Sequence, residues 1–367
     1  MARDTLQWST PARTAAIRHA VSRATKAPSV HNSQPWRFLV DGDTVSVRAD
    51  RSRQLMAIDP RGRELVMSIG AALLNLRVGL AARAWGVDVR RLPDRDDPDL
   101  MAVVRVVPGR PEADLADLDP AIARRRTNRR RFGPEQVPDQ LLRRLSATAG
   151  AEQTLLVPVR SADHRRLVSR LTHQADQWQN ADPAYRAEIR LWTGRPADGG
   201  DGIPPAVVPK VDGRSPAGDP PLRDFDSSGT GGLPADVGEQ EQTLVVLATL
   251  TDGPEAWLRS GEAMERMLLE LTQAGWVTSP ATQAIEVPVT RSQLRTALAW
   301  GTHPQMLLRI GRAAPVPATP RRRQAEVVTG TDMSPAQVPT DRGPSGRTEP
   351  PPEHRPVSDG RGGTTWI

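Results

Sequence analysis

Residues 26–38 read KAPSVHNSQPWRF, and the fold turns on whether this stretch is a connector or a binding loop. As a connector it is easily understood: Pro28 and Pro35 end one element and open the next, and Ser29 and Asn32 satisfy turn backbone groups. As a binding loop, the same Ser29 and Asn32 present a hydroxyl and an amide to the donor and acceptor pattern on the edge of a flat heterocycle. Both readings stand on these residues alone. His31 is read as a hydrogen-bonder within the loop, because the sequence supplies no partner for acid–base work.

Working outward, Thr10-Pro11 opens a helix with Thr10 as its cap, and Ile17, Val21 and Ala24 share one face. After the loop come strand-like WRFLV and TVSVRAD, joined at Asp41-Gly42. A long apolar helix is expected over Arg61–Trp85, stopped by Gly86 and buried on several sides. Two further strands, VDVRRL and LMAVVRVV, complete a first unit expected at 1–118. A second unit, 119–328, holds a helix and basic turn, a helix at 138–146 and a strand beginning in AEQTLLVPV. It continues with the helix ADHRRLVSRLTHQADQWQ, the strand QTLVVLATL, the helix SGEAMERMLLELTQAGW and the strand HPQMLLRIG. Residues 195–238 are rich in Pro, Gly and Asp, long for a connector and read as a lid. Residues 329–367 are too polar to bury a core and are expected to be a disordered tail. Strands and helices mix without regular βαβ alternation, so the fold class is α+β in two related halves.

Composition removes several chemistries. There is no cysteine, hence no thiolate nucleophile, disulfide or Cys-ligated metal. The six His are scattered without metal-ligand spacing. The Leu65–Ala82 run contains Asn75 and Arg77, which suits a core helix better than a membrane span. With no signal-peptide pattern in the first 20 residues, a cytoplasmic protein is expected. Dinucleotide, P-loop and nucleophile-elbow motifs are absent.

Six arginines surround Thr127-Asn128 in RRRTNRRRF, and a second cluster, TPRRR, spans 319–323. Three readings are open: a solvated turn, a nucleic-acid patch, or a site where Arg forks grip phosphate oxygens and Thr127 adds a hydroxyl. Aromatic residues are 4% of the chain and none interleaves the cluster, which argues against single-stranded nucleic acid.

Together, APSVHNSQPWRF, RRTNR at 125–129, TSPATQAIEVP, HPQMLLRIG and TPRR resemble the FMN-dependent nitroreductase superfamily, and within it the internally duplicated Acg family. In that superfamily an Arg-rich segment and a P-S-x-x-N loop follow one another. Here the first half keeps the loop and the second half keeps the Arg-rich segment, with only AGAEQT (149–154) where a second loop would stand. The resemblance implies a nitroreductase-like fold, a monomeric internal pseudo-dimer and a single complete FMN site. Pro28, Ser29 and Asn32 would line the isoalloxazine. Arg125 and Thr127 would meet the ribityl-phosphate end and Arg129 the N1/C2-carbonyl edge, or Arg126, Asn128 and Arg130 in a register shifted by one. Arg321 and Arg322 would complete the phosphate site, and Thr282 and Gln283 stand where the family has a Gly-containing turn near the flavin. Implied partners are NADH or NADPH and a small-molecule electron acceptor such as a nitroaromatic or quinone, with no metal, specific nucleic acid or membrane. No side chain is expected to be a nucleophile or base, since the flavin carries the chemistry. The alternative implied by the lid-like segment is a flavin-sequestering protein with little turnover.

Overall fold

Ser9, one residue before the expected cap, starts the first helix, Thr10–Ala24, by accepting from the Ala12 N–H at 3.4 Å. Five apolar residues of this helix, among them Ile17 and Val21, are buried. The computed structural model describes residues 9–196, 198–209, 219–225, 233, 242–298, 301–330, 356–358 and 364–366. The chain forms two compact units, Met1–Met333 and Ser334–Ile367.

In the larger unit, β1 (Trp36–Asp41) and β2 (Thr44–Ala49) form the expected hairpin, with Gly42 at φ 58° in its turn. β3 (Gly86–Arg91) and β4 (Leu100–Val107) follow. β5 (Leu155–Pro158), β6 (Thr243–Thr249), β7 (Val277–Pro280) and β8 (His303–Gly311) belong to a second sheet, and β9 (Val328–Gly330) returns to the first. The orders are β3-β4-β2-β1-β9 and β5-β6-β8-β7. Pairing is antiparallel throughout both, except that β9 lies parallel to β1 with Phe38 opposite Val328. Antiparallel sheets carrying helices make this α+β. The parallel strand β9 also brings the residues just before it, including 319–323, to the edge beside the 26–38 loop.

Two long helices, Arg63–Ala81 and Pro254–Gln273, pack against each other between the sheets. All 19 residues of the first are buried inside the protein, although the helix is long and apolar enough to cross a membrane. Their crossing is backbone on backbone. A methyl at Gly70 would lie 2.0 Å from the Leu258 carbonyl oxygen, and one at Gly261 would lie 2.0 Å from that of Met67. Around the crossing, Arg77 donates to Glu262 at 2.8 Å, Glu152 at 3.0 Å and Glu112 at 2.6 Å. Buried carboxylates and guanidinium are thereby paired.

Several boundaries differ from expectation. The first long helix ends at Ala81 and not Trp85, because Ala84 takes the left-handed conformation (φ 62°) and Gly86 opens β3 instead of capping the helix. The helix over 138–146 runs on to Ala151, so β5 starts only at Leu155. The sequence reading missed a helix at Pro183–Trp192, capped by Asp182 and burying Tyr185, Ile189 and Trp192. Most of the tail and much of the lid-like segment lie outside the described residues. Within the smaller unit, β10 (Pro356–Ser358) pairs antiparallel with β11 (Thr364–Trp366).

The crossing makes a direct prediction. Gly261→Ala should cost about 2 kcal/mol or more, since the helices must separate to admit the methyl. Gly150→Ala, where nothing lies within 4 Å, should instead gain about 0.5–1 kcal/mol from helix propensity. Urea unfolding of the two variants checks both signs.

Candidate functional site

The 26–38 loop is held in a conformation that few residues adopt unaided. His31, Asn32 and Gln34 have φ of 46°, 58° and 51°, each at a cost of about 1–3 kcal/mol for a residue with a side chain. Hydrogen bonds from three distant segments hold it. Ser29 Oγ accepts from the Gln34 N–H at 2.9 Å, and Ser68 Oγ accepts from the Val30 N–H at 3.1 Å. The Asn32 amide donates to the carbonyls of Gly202 (2.9 Å) and Pro320 (3.0 Å), while its oxygen accepts from Arg321 (3.0 Å). Gln34 donates to the Gly200 carbonyl at 2.8 Å and accepts from the Arg322 N–H at 2.9 Å. The loop is thus stitched to the start of the lid-like segment and to the second Arg cluster.

Two neighbouring hollows lie against it. The inner one has apolar walls of Met67, Met264, Leu268, Met306 and Leu308 from the central helices and β8. The other is cationic, walled by Lys26, Arg125, Arg126 and Arg321. Pro28, Ser29, Thr127 and Arg129 border both, so the loop and the Arg-rich segment form the wall that the two share, the waist of the site. The two sequence features that read as complementary therefore face each other.

The cationic end holds more positive charge than its surroundings neutralise. Arg129 is pushed down to about 10 by burial and by the charges of Arg223 and Arg125. Arg321 falls to about 9 through burial and then Arg125. Burial and Arg125 also lower Arg126. The carboxylate facing them is Glu265, 3.5 Å from Arg125 Nε and itself raised to about 7 by burial. Arg125 Nε, Arg129 Nη1 and Arg321 Nε are buried without a hydrogen-bond acceptor. Unmatched guanidinium N–H groups of this kind are what a phosphate or carboxylate would satisfy.

At the apolar end the lid-like segment closes in. Phe225 lies 5.3 Å from the Arg129 guanidinium, 6.0 Å from that of Arg223, and edge-on to His31 at 5.6 Å. Arg223 is anchored by donating to Tyr185 (3.0 Å), Thr282 (3.2 Å) and Glu286 (2.5 Å). His31 is neutral, pushed down to about 3 by burial and by Arg223. Its ring Nδ1 is buried without a partner, so the expected hydrogen bond within the loop is not made by that atom. Burial pushes Glu286 up, but the charge and hydrogen bond of Arg223 outweigh this and hold it below the ordinary carboxylate range.

The remaining expected residues divide clearly. Thr282 is on the inner wall, while Gln283 is buried and borders neither hollow. Asn128 points away: its N–H donates to the Thr278 carbonyl and its amide to that of Ala314, both at 3.0 Å. Of the two registers, the geometry turns Thr127 and Arg129 inward. Arg321 enters the cationic end, whereas Arg322 turns to Asp50 at 3.7 Å and Glu326 at 3.6 Å. The sequence reading missed Glu64, Arg223, Phe225, Glu286 and Arg309. For Glu64 the visible signal was a charge at the head of an apolar helix; Arg223 and Phe225, in a turn-rich run, gave none.

No family model matches the chain. A Mycobacterium tuberculosis protein provisionally named an NAD(P)H nitroreductase is 36% identical over 322 residues, covering 85% of this chain and 90% of its own. A second from that organism, the provisionally named NAD(P)H nitroreductase acg, is 32% identical over 319 residues, covering 85% and 94%. Among solved structures, a nitroreductase with bound FMN from Bacteroides fragilis aligns with 58% of this chain and 97% of its own. Its identity is 14% and its TM-score 0.37.

The surplus of buried cations predicts anion-linked stability. Inorganic phosphate at a hundredfold excess over its dissociation constant should stabilise the ligand-free protein by about 2.7 kcal/mol. Thermal unfolding with phosphate or with chloride at equal ionic strength measures this. Arg321→Met or Arg125→Met should remove most of the phosphate effect.

Proposed function

Because this chain belongs to the nitroreductase superfamily as an Acg-like member, we propose that its two neighbouring hollows bind FMN and that the protein is an NAD(P)H-dependent oxidoreductase. The acceptor would be a nitroaromatic, a quinone or a similar small molecule. The observation that carries this reading is an apolar, Met- and Leu-walled chamber lying directly against a cationic one, with Ser29, Thr127 and Arg129 in the wall of both. The residues present fit the cofactor: the unmatched N–H groups of Arg125 and Arg321 suit its phosphate, and the apolar chamber suits its flat ring. FMN, when bound, supplies the two-electron chemistry, taking hydride from NADH or NADPH and passing it on.

The chain's own part is binding, orientation and charge. Arg129, at the waist, would bring a cation to a bound flavin, where positive charge favours the reduced anionic form. Pro28 and Ser29 would help hold the cofactor, on a loop fixed by Asn32 and Gln34. The Arg-rich segments serve this site and not nucleic acid. Each sheet with its central helix acts as one half of an internal pseudo-dimer, so a single cytoplasmic chain suffices for one site.

A second reading is favoured by Phe225. Its ring stands in the apolar chamber beside Arg129, on a segment locked by Arg223, Tyr185 and Glu286. A lid that stayed closed would make this a flavin-holding protein with little turnover. Anaerobic mixing with NADPH separates the two: rapid bleaching of the flavin absorbance supports the oxidoreductase, and an unreduced yellow protein supports the closed lid. A protein that takes up no FMN overturns both. Arg129→Ala should lower FMN affinity about 10–100-fold, the equivalent of one charge-assisted hydrogen bond, read as flavin lost on dialysis.

A further inference from the structure

The inner chamber contains two carboxyl groups that flavin binding does not use. Glu64, in the first turn of the Arg63–Ala81 helix, and Glu286, at the end of the short helix Gln283–Glu286, both stand on its wall. Glu64 is 5% exposed. Its neighbour Arg63 donates to it at 2.8 Å but also donates to the Gln305 carbonyl, so one guanidinium is divided between two acceptors. Glu286 is fully engaged, accepting from Arg223, from Thr282 Oγ1 at 2.6 Å and from Gln179 at 2.6 Å. It also forms part of the wall of a separate open cleft of about 1350 Å³, with Asp59, Gln179 and Tyr185. One carboxyl therefore faces the chamber, and the other separates the chamber from a water-accessible cleft.

We propose that Glu64 is the acid of this site, giving its carboxyl proton to the bound electron acceptor, and that Glu286 is the gate through which that proton is replaced from the cleft. The proposal rests on reading the hollow as the flavin and acceptor site. For a quinone, one carbonyl oxygen receives hydride from the reduced flavin and the other receives the proton from Glu64 Oε, giving a neutral hydroquinone, oxidised flavin and a Glu64 carboxylate. Water in the cleft returns the proton to Glu64, and NAD(P)H returns the hydride to the flavin.

The electrostatic setting agrees. Glu64 is pushed up to about 8, first by burial and then by the charge of Glu286. Arg63 on its own helix and Arg223 on the lid act against this, while Asp59 in the preceding turn adds to it. The chamber's other ionisable walls are His31, which is neutral, Arg129 and Arg309. Because Arg223 holds Glu286 ionised, the proton in this chamber resides on Glu64. The acid form is required, so acceptor reduction should proceed below pH 8 and decline above it.

Two measurements test this. Infrared spectroscopy of the purified protein at pH 7, with or without flavin, should show a protonated-carboxyl band that titrates near pH 8 and is missing from Glu64→Gln. Absence of such a band overturns the proposal whether or not flavin is bound. Stopped-flow oxidation of the reduced protein by a benzoquinone should be slowed about 10²-fold or more in Glu64→Gln, with its alkaline limb abolished and restored in Glu64→Asp. An unchanged rate and pH profile in Glu64→Gln likewise overturns it. A wild-type protein that binds no FMN, by contrast, overturns the function proposed above, which the infrared titration does not depend on.

Discussion

The close approach of Gly70 to Leu258 and of Gly261 to Met67 is the constraint on which the rest depends. With no side chain at either position, the two central helices meet carbonyl against Cα, closer than ridge-into-groove packing between ordinary residues allows. Everything at the site hangs from these two rods. Glu64, Met67 and Ser68 project from one helix, and Met264, Glu265 and Leu268 from the other. Moving the helices apart by the width of a methyl would widen the chamber and separate Glu265 from Arg125. The Arg77 ion network beside the crossing fixes rotation about it, since its guanidinium joins carboxylates from three separate segments of chain, Glu112, Glu152 and Glu262.

A second level of organisation follows from that crossing. The two halves of the chain contribute unlike pieces to one space: a strained loop from the first and an Arg-rich segment from the second. The loop cannot hold its three left-handed residues alone, and its stitches come from residues 200–202 and 320–322. The second of these reaches the loop because β9 returns to pair with β1. Strain at residues 31–34 is therefore supported by chain nearly 300 residues away, which makes the site a product of the whole larger unit.

How much of this was legible depended on whether a feature left a local mark. The strands of both sheets other than β7 and β9, the buried long helix and the facing of RRTNR towards the loop left such marks, in alternation, apolar runs and charge clusters. The Thr10 cap was misread by one residue because Ser9 is an equally good cap and stands one position earlier. Gly86 was read as a helix stop because glycine normally takes the left-handed position, yet Ala84 takes it here. Asn32 was legible as important: it borders the cationic hollow, and its amide and oxygen also tie the loop to Gly202, Pro320 and Arg321, which the sequence does not reveal. The lid residues Arg223 and Phe225 were illegible. They lie in a turn-rich run without periodicity, and their partners His31, Arg129 and Glu286 are scattered from residue 31 to residue 286.

Charge inside the hollow is partitioned by distance from the waist. At one end, Lys26, Arg125, Arg126, Arg129 and Arg321 line the cationic hollow, with Glu265 beside Arg125. At the other, Arg223 matches Glu286 and leaves Glu64 with a share of Arg63. The two ends are coupled through Arg223, whose charge lowers Arg129 and holds Glu286 ionised. It lowers Glu64 as well, so a single guanidinium acts on the waist arginine and on both carboxyls of the chamber.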